Sequence, residues 1–231
     1  MALKFIKPDA DSRMTCLVIG KPGIGKTSLL RTLPEEETAF TVSAESGLLC
    51  VQDLVASGQV QGAEVDCMED LDEILTCLKT PAYRERYSTV FIDSLSEISQ
   101  RCLDSSRWKF PARKDSFNLW DDYEVRMTAL VKAFRDLQGY DVVMTCLETL
   151  ELDEAKRRIV SPDVAMKRLK GKLAAWFDEV FYMSDAKDAK GAFQRVFYTQ
   201  PFNGQPGKDR SGRLDPVEKP DLAWIRAKIF G

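Results

Sequence analysis

The chain has 231 residues, enough for one sizeable α/β core and short for two independent domains. Its 33 basic residues against 36 acidic ones leave a formal charge of −3, which excludes polybasic binding of nucleic acid over the whole surface; any such contact must be local. It contains no histidine, which excludes histidine triads, His-based zinc sites and imidazole bases, so a base must be a carboxylate, Lys, Tyr or Cys. Cys16, Cys50, Cys67, Cys77, Cys102 and Cys146 are scattered without a Cys-x-x-Cys pair, most of them in apolar runs, as expected of a reducing compartment with no metal site. No run approaches the ~20 apolar residues that span a bilayer, so a soluble, cytoplasmic protein without membrane contact is expected.

Residues 1–13 read as a lead-in, an arm or an edge strand, and residues 14–19 as the first buried strand. The strand runs into Gly20-Lys21-Pro22-Gly23-Ile24-Gly25-Lys26-Thr27-Ser28, which fits the phosphate-binding pattern G-x-x-x-x-G-K-[ST]. Its glycines let successive N–H groups turn inward toward an anion, and a following helix adds the positive end of its dipole. In that pattern Lys26 reaches the β- and γ-phosphates and the Thr27 hydroxyl ligates Mg²⁺. A glycine-rich turn that binds nothing is the competing reading; the apolar strand before it and the helix-compatible residues after it weigh against that. Helix one spans about 26–33 and stops at Pro34, and residues 39–42 form the next strand, followed by Ser43-Ala44-Glu45-Ser46-Gly47. A carboxylate at a strand end of an α/β sheet points into the crevice where ligands bind, which singles out Glu45 against a merely solvated turn residue.

Residues 48–56 read as a helix, Gly58 and Gly62 as brackets of a turn, and 63–67 as a short strand. Leu71, Ile74, Leu75 and Leu78 have the spacing of one apolar helix face, with Asp70 as its cap and Pro81 as its end. Residues 88–94 are β-branched and apolar and end in Asp93-Ser94, the Walker B pattern of a buried strand that delivers a carboxylate to Mg²⁺ beside the phosphate loop. A helix follows over 95–103, then an irregular crossing over 107–118. There Arg107, Trp108, Lys109, Phe110, Arg113, Lys114 and Phe117 read either as a base-stacking surface or, with more weight, as a subunit contact or packing.

Tyr123, Met127, Leu130, Val131, Phe134 and Leu137 mark an amphipathic helix, and 140–146 a core strand. Between 156 and 172 the chain turns basic, with Lys156, Arg157, Arg158, Lys167, Arg168 and Lys170 in a hairpin or mobile loop that re-enters a helix at about Leu173. Such a loop at the strand ends either follows a nucleic-acid backbone or is a solvated hairpin. Two antiparallel strands over about 180–199 extend the sheet. A turn-rich loop over 206–213 then offers Lys208 and Arg210 to phosphate or merely to water, and a closing helix runs over 222–230.

With the phosphate loop, Glu45, Phe91-Ile92-Asp93-Ser94 and Lys208-Asp209-Arg210 in this order, the chain resembles the RecA-like P-loop ATPases. More narrowly it is similar to the small phage-encoded nucleotide-binding proteins of the AAA_24 type, some of which act as single-strand-annealing recombination proteins. The resemblance runs from Leu17 to Arg210 and implies one RecA-like domain over 1–231, with a mostly parallel central sheet flanked by helices and a C-terminal antiparallel extension. It implies ATP and Mg²⁺ as cofactors, Glu45 as the residue that polarises the attacking water, and Asp93 with Thr27 on the metal. It also implies that Lys208 and Arg210 act in trans on a neighbouring subunit's γ-phosphate, in a ring or filament. Where related proteins often carry Gln or His near the end of the sensor strand, this chain reads Thr145-Cys146-Leu147-Glu148, so γ-phosphate sensing falls to Thr145.

The function expected on this basis is ATP-dependent oligomerisation on single-stranded DNA for annealing or recombination, in host cytoplasm if phage-encoded, with a single-strand-binding protein as a further partner. The alternatives are a nucleotide-switched loader acting on a protein partner and, with less support, a small-molecule P-loop kinase.

Overall fold

The apolar runs assemble into a single sheet whose central strands are buried on both faces, which is why they read as continuous rather than alternating hydrophobic stretches. The computed structural model describes residues 13–45, 47–187 and 190–231, the side chains of 112–114 apart; the expected lead-in over 1–13 lies outside them except for Arg13, as do the side chains of Arg113 and Lys114. The strands are β1 (Thr15–Gly20), β2 (Ala39–Ser43), β3 (Val60–Glu64), β4 (Thr89–Asp93), β5 (Asp141–Leu152), β6 (Arg158–Pro162), β7 (Glu179–Lys187), β8 (Phe193–Tyr198), β9 (Lys208–Asp209) and β10 (Val217–Glu218). The helices are α1 (Gln52–Ser57), α2 (Met68–Leu78), α3 (Pro81–Arg86), α4 (Leu95–Lys109), α5 (Ala112–Arg135), α6 (Lys167–Trp176) and α7 (Leu222–Phe230).

The sheet order is β10-β8-β7-β1-β5-β4-β2-β3. From β7 to β3 every neighbouring pair is parallel, while β8 and β10 continue the sheet antiparallel beyond β7. This is the α/β class expected, a mostly parallel sheet flanked by helices with a C-terminal antiparallel extension. Along β1, Leu17 and Ile19 join the core under α2, α4, α5 and α6, whereas Cys16 and Val18 join the opposite layer with Leu29, Leu30, Phe181, Phe197 and Ile225. The period-two alternation of a strand thus feeds both hydrophobic layers.

Several boundaries differ from the sequence expectation. The segment after the phosphate loop is a short 3-10 helix, Thr27–Thr32, because the chain turns extended at Leu33 before Pro34. Strand β3 begins at Val60, so Gly62 lies inside a strand and not at a turn; a Cβ there would overlap the Thr41 carbonyl of β2, and only glycine allows that approach. Pro81 opens α3 rather than simply ending α2. The stretch 107–118 is not an irregular crossing. Helix α4 runs to Lys109 and α5 starts at Ala112, with Phe110 and Pro111 between them and a kink at Asp115 inside α5. Cys102, Leu103, Leu119, Tyr123 and Met127 keep one apolar face on the core throughout. Helix α6 starts at Lys167, well before Leu173. Of the cysteines, Cys16, Cys102 and Cys146 are buried, while Cys50 and Cys67 are exposed and Cys77 is half-buried, so fewer belong to the core than expected.

Candidate functional site

Strand β1 ends at Gly20, and the loop that follows curls over the carboxyl end of the sheet, where ligands of open α/β sheets bind. Two of its glycines have positive φ, 73° at Gly23 and 103° at Gly25. A Cβ on Gly20 would stand 2.7 Å from the Met183 carbonyl oxygen of β7. The loop is therefore built of backbone at close quarters, the condition under which successive N–H groups can turn toward an anion. Lys26 folds back inside it, with Nζ donating to the carbonyls of Gly20 at 3.0 Å and Lys21 at 2.9 Å. Burial lowers its pKa, against the opposing pull of Asp93 and Glu45.

Strand β4 carries Asp93 to the same level, one strand removed from β1 across β5. Its carboxylate is held from both sides: Thr27 Oγ1 donates to Oδ2 at 2.6 Å and Thr145 Oγ1 to Oδ1 at 2.6 Å. The Thr27–Asp93 pair supplies two hard oxygen donors at the mouth of the loop, a set that fits Mg²⁺. Thr145 is fully buried on β5 behind Asp93, so it reaches the cleft through that carboxylate rather than by lining it. Past the end of β2, Glu45 is exposed and accepts a hydrogen bond from the hydroxyl of Ser94, the residue after Asp93. Pro22, Gly23, Gly25, Lys26, Thr27, Ser28, Glu45 and Asp93 line one cleft of about 690 Å³.

A family model described as an AAA domain matches residues 12–211. The chain belongs to the AAA domain family. That span takes in every strand of the cleft and the loop of Lys208 and Arg210, leaving α7 outside. Families of this kind are nucleotide-dependent P-loop ATPases, and the glycine loop, Lys26, Thr27 and Asp93 of this AAA domain fit a nucleotide with its Mg²⁺. A search of curated proteins returns no significant match.

The sequence missed three contributors to this region of the AAA domain. Glu97 and Arg101 lie one turn apart on α4 and both line the cleft; Arg101 donates to Ala44 O at 2.9 Å and Asp66 O at 3.1 Å, pinning the end of β2 from which Glu45 projects. Their i, i+4 spacing directly after Asp93-Ser94 was a usable signal. The third, Arg195 of β8, lies against Gly25, and no sequence pattern announces it because it depends on strand register.

Lys208 and Arg210 are not in this cleft. Strand β9 pairs with β7 at Val180 and Glu179, the end of the sheet away from the phosphate loop. Lys208 Nζ turns onto the carbonyls of Ala174, Ala175 and Phe177 and so caps the C-terminus of α6, and Arg210 pairs with Asp178 while remaining half exposed. Burial and the neighbouring Arg210 charge lower the Lys208 pKa.

The basic residues separate into two groups. Lys156, Arg157 and Arg158 sit at the turn of the β5–β6 hairpin, which projects past the carboxyl end of β1. Lys167, Arg168 and Lys170 open α6. Acids accompany both: Asp153 pairs with Arg157 at 2.8 Å, Glu124 with Arg168 at 3.4 Å, and Glu151 with Lys170 at 3.1 Å. Lys156, Arg158 and Lys167 are exposed and carry no ion pair among the described residues.

Proposed function

We propose that this AAA domain is a Mg²⁺-ATP-dependent ATPase that assembles into an oligomer and binds single-stranded DNA to promote annealing or recombination in a phage setting. The observation that supports it most is the convergence of Lys26, Thr27, Asp93 and Glu45 on one cleft at the strand ends. In this reading the N–H groups of Gly23, Gly25, Lys26 and Thr27 and the Lys26 ammonium hold the phosphates, with Lys26 exchanging its bonds to Gly20 and Lys21 for phosphate oxygens. Thr27 and Asp93 hold Mg²⁺, which when bound supplies positive charge against the phosphate oxygens. Glu45, aligned by Ser94, takes the proton of the attacking water.

The DNA arm of the proposal rests on the exposed Lys156, Arg157 and Arg158 at the hairpin tip. The γ-phosphate end rests on Arg210 of a neighbouring subunit, since Arg210 stands at the far end of the sheet from its own cleft. Anisotropy titration of a fluorescent oligonucleotide over a range of salt, with and without Mg²⁺-ATP, tests it. ATP should raise the affinity. Replacing Lys156, Arg157 and Arg158 by Ala should lower it about ten-fold and flatten the salt slope by ~2. An affinity that neither ATP nor the triple substitution changes contradicts the reading. Trp108 and Phe117, 90% and 79% exposed on α4 and α5, favour a second reading as a nucleotide-switched partner of another protein.

A further inference from the structure

Strand β8 pairs antiparallel with β7 so that Phe197 faces Met183, the residue level with Gly20, and Arg195 lies two residues further out, opposite Asp185. Arg195 therefore stands beyond the end of β1, at the height of the phosphate loop. It shares its face of β8 with Phe197, whose fully buried ring stacks on Phe181 at 4.8 Å in the layer that also holds Ile24 of the loop. The side chain leaves Asp185 and reaches back across β7: a Cβ placed on Gly25 would lie 2.5 Å from Arg195 Nη1 and 3.1 Å from Cζ. Gly25 is the residue before Lys26.

The other two cations beside the cleft are occupied by protein oxygens, Lys26 by Gly20 and Lys21, and Arg101 by Ala44 and Asp66. Arg195 is different. Among the described residues its guanidinium makes no hydrogen bond and no ion pair, although a carboxylate stands directly opposite it in register. An unpaired guanidinium held against the backbone of a phosphate loop has the charge and the planar donor set that phosphate oxygens take. The cleft gains from it too, because its lining carries three carboxylates, Glu45, Asp93 and Glu97, against Lys26 and Arg101.

We propose that Arg195 binds the phosphate chain of the nucleotide held by the same subunit, so that the antiparallel extension supplies one wall of the site in cis. This rests on the reading of the cleft as a nucleotide site. It also gives the loop glycine a second reason: any side chain at Gly25 would displace the guanidinium as well as strain the backbone.

The test is equilibrium binding of Mg²⁺-ATP and of inorganic tripolyphosphate to the full chain, to Arg195→Ala and to Arg195→Lys, with the melting temperature of each recorded without ligand. Arg195→Ala should bind both ligands about ten-fold or more weakly and melt like the parent, with Arg195→Lys in between. If Arg195→Ala binds ATP like the parent, the inference fails and the cleft reading stands. A loss of ATP affinity without a loss for tripolyphosphate, or one matched by a lower melting temperature, also overturns the phosphate contact. If the parent binds neither ligand, the cleft reading itself is wrong and the inference falls with it.

Discussion

Glu179 illustrates how one side chain ties the chemistry of a segment to pH. It is buried at the start of β7, and burial followed by the charge of Asp209 pushes its pKa from 4.5 to about 7. Asp209 lies between Lys208 and Arg210, and the Ser211 amide donates to Glu179 at 3.3 Å, so the acid sits under the loop carrying both cations. A carboxyl with a raised folded pKa holds its proton in the native state over a range in which the unfolded chain has released it. Its stabilising effect is whole at low pH and is lost as pH rises between about 4.5 and 7, by on the order of 3 kcal/mol, with no further change above. Neighbouring carboxylates with lowered pKa values, such as Asp209, act with the opposite sign, so the readout is a difference. Urea denaturation of the parent and of Glu179→Gln at pH 5 and pH 8 should show the parent losing more stability, relative to the variant, at the higher pH. Parallel profiles would remove Glu179 from this role.

At the scale of elements, the strands whose residues are apolar on both faces were legible because their composition has one cause, burial. Strands β1 and β4 were read almost to the residue, and with them Lys26, Thr27 and Asp93, whose positions follow from strand ends. Strand β3 was displaced because Gly62 reads as turn chemistry when its cause is the Thr41 backbone of β2, a contact between residues 21 apart. Thr145 is expected at the γ-phosphate from its place near a strand end, whereas its bond to Asp93 depends on which strand lies next to β5. Arg195 was invisible for the same reason, since its position rests on the pairing of Asp185 with its own strand. The aromatic and basic run 107–118 reads as irregular from its mixed composition, yet proline is tolerated at a helix start, and α5 begins directly after Pro111. Gly62→Ala tests the close approach: β2 and β3 must part to admit the methyl, at a cost of about 3 kcal/mol in chemical denaturation. A cost under ~1 kcal/mol would mean that the strands are not held so near.

Across the whole molecule, the cleft and the Lys208–Arg210 loop occupy opposite ends of the sheet, joined by β1 and β7. One chain thus carries the glycine-loop cleft at one end of the sheet and, at the other, two cations that do not line it. Among the described residues the Arg210 side chain, half exposed, pairs with Asp178 alone, whereas Lys208 is engaged with the end of α6, so in the proposed oligomer Arg210 is the better placed of the two. The hairpin bearing Lys156, Arg157 and Arg158 grows out of β5, the strand that carries Thr145 and thereby steadies Asp93. Its far side returns through Ala165, whose amide donates to Ser99 at 3.0 Å and to Tyr123 at 3.2 Å, on the helices α4 and α5. Since α4 starts immediately after Asp93-Ser94, the hairpin is braced on both sides by elements that begin or end at the cleft. The measurement that bears most directly on the account is ATP turnover per subunit over a hundred-fold range of protein concentration, with and without single-stranded DNA, beside Glu45→Gln as a variant that binds ATP without hydrolysing it. Turnover should climb with concentration and with DNA and fall at least ~100-fold in Glu45→Gln; a rate per subunit that is flat in both, or a variant as fast as the parent, would contradict it.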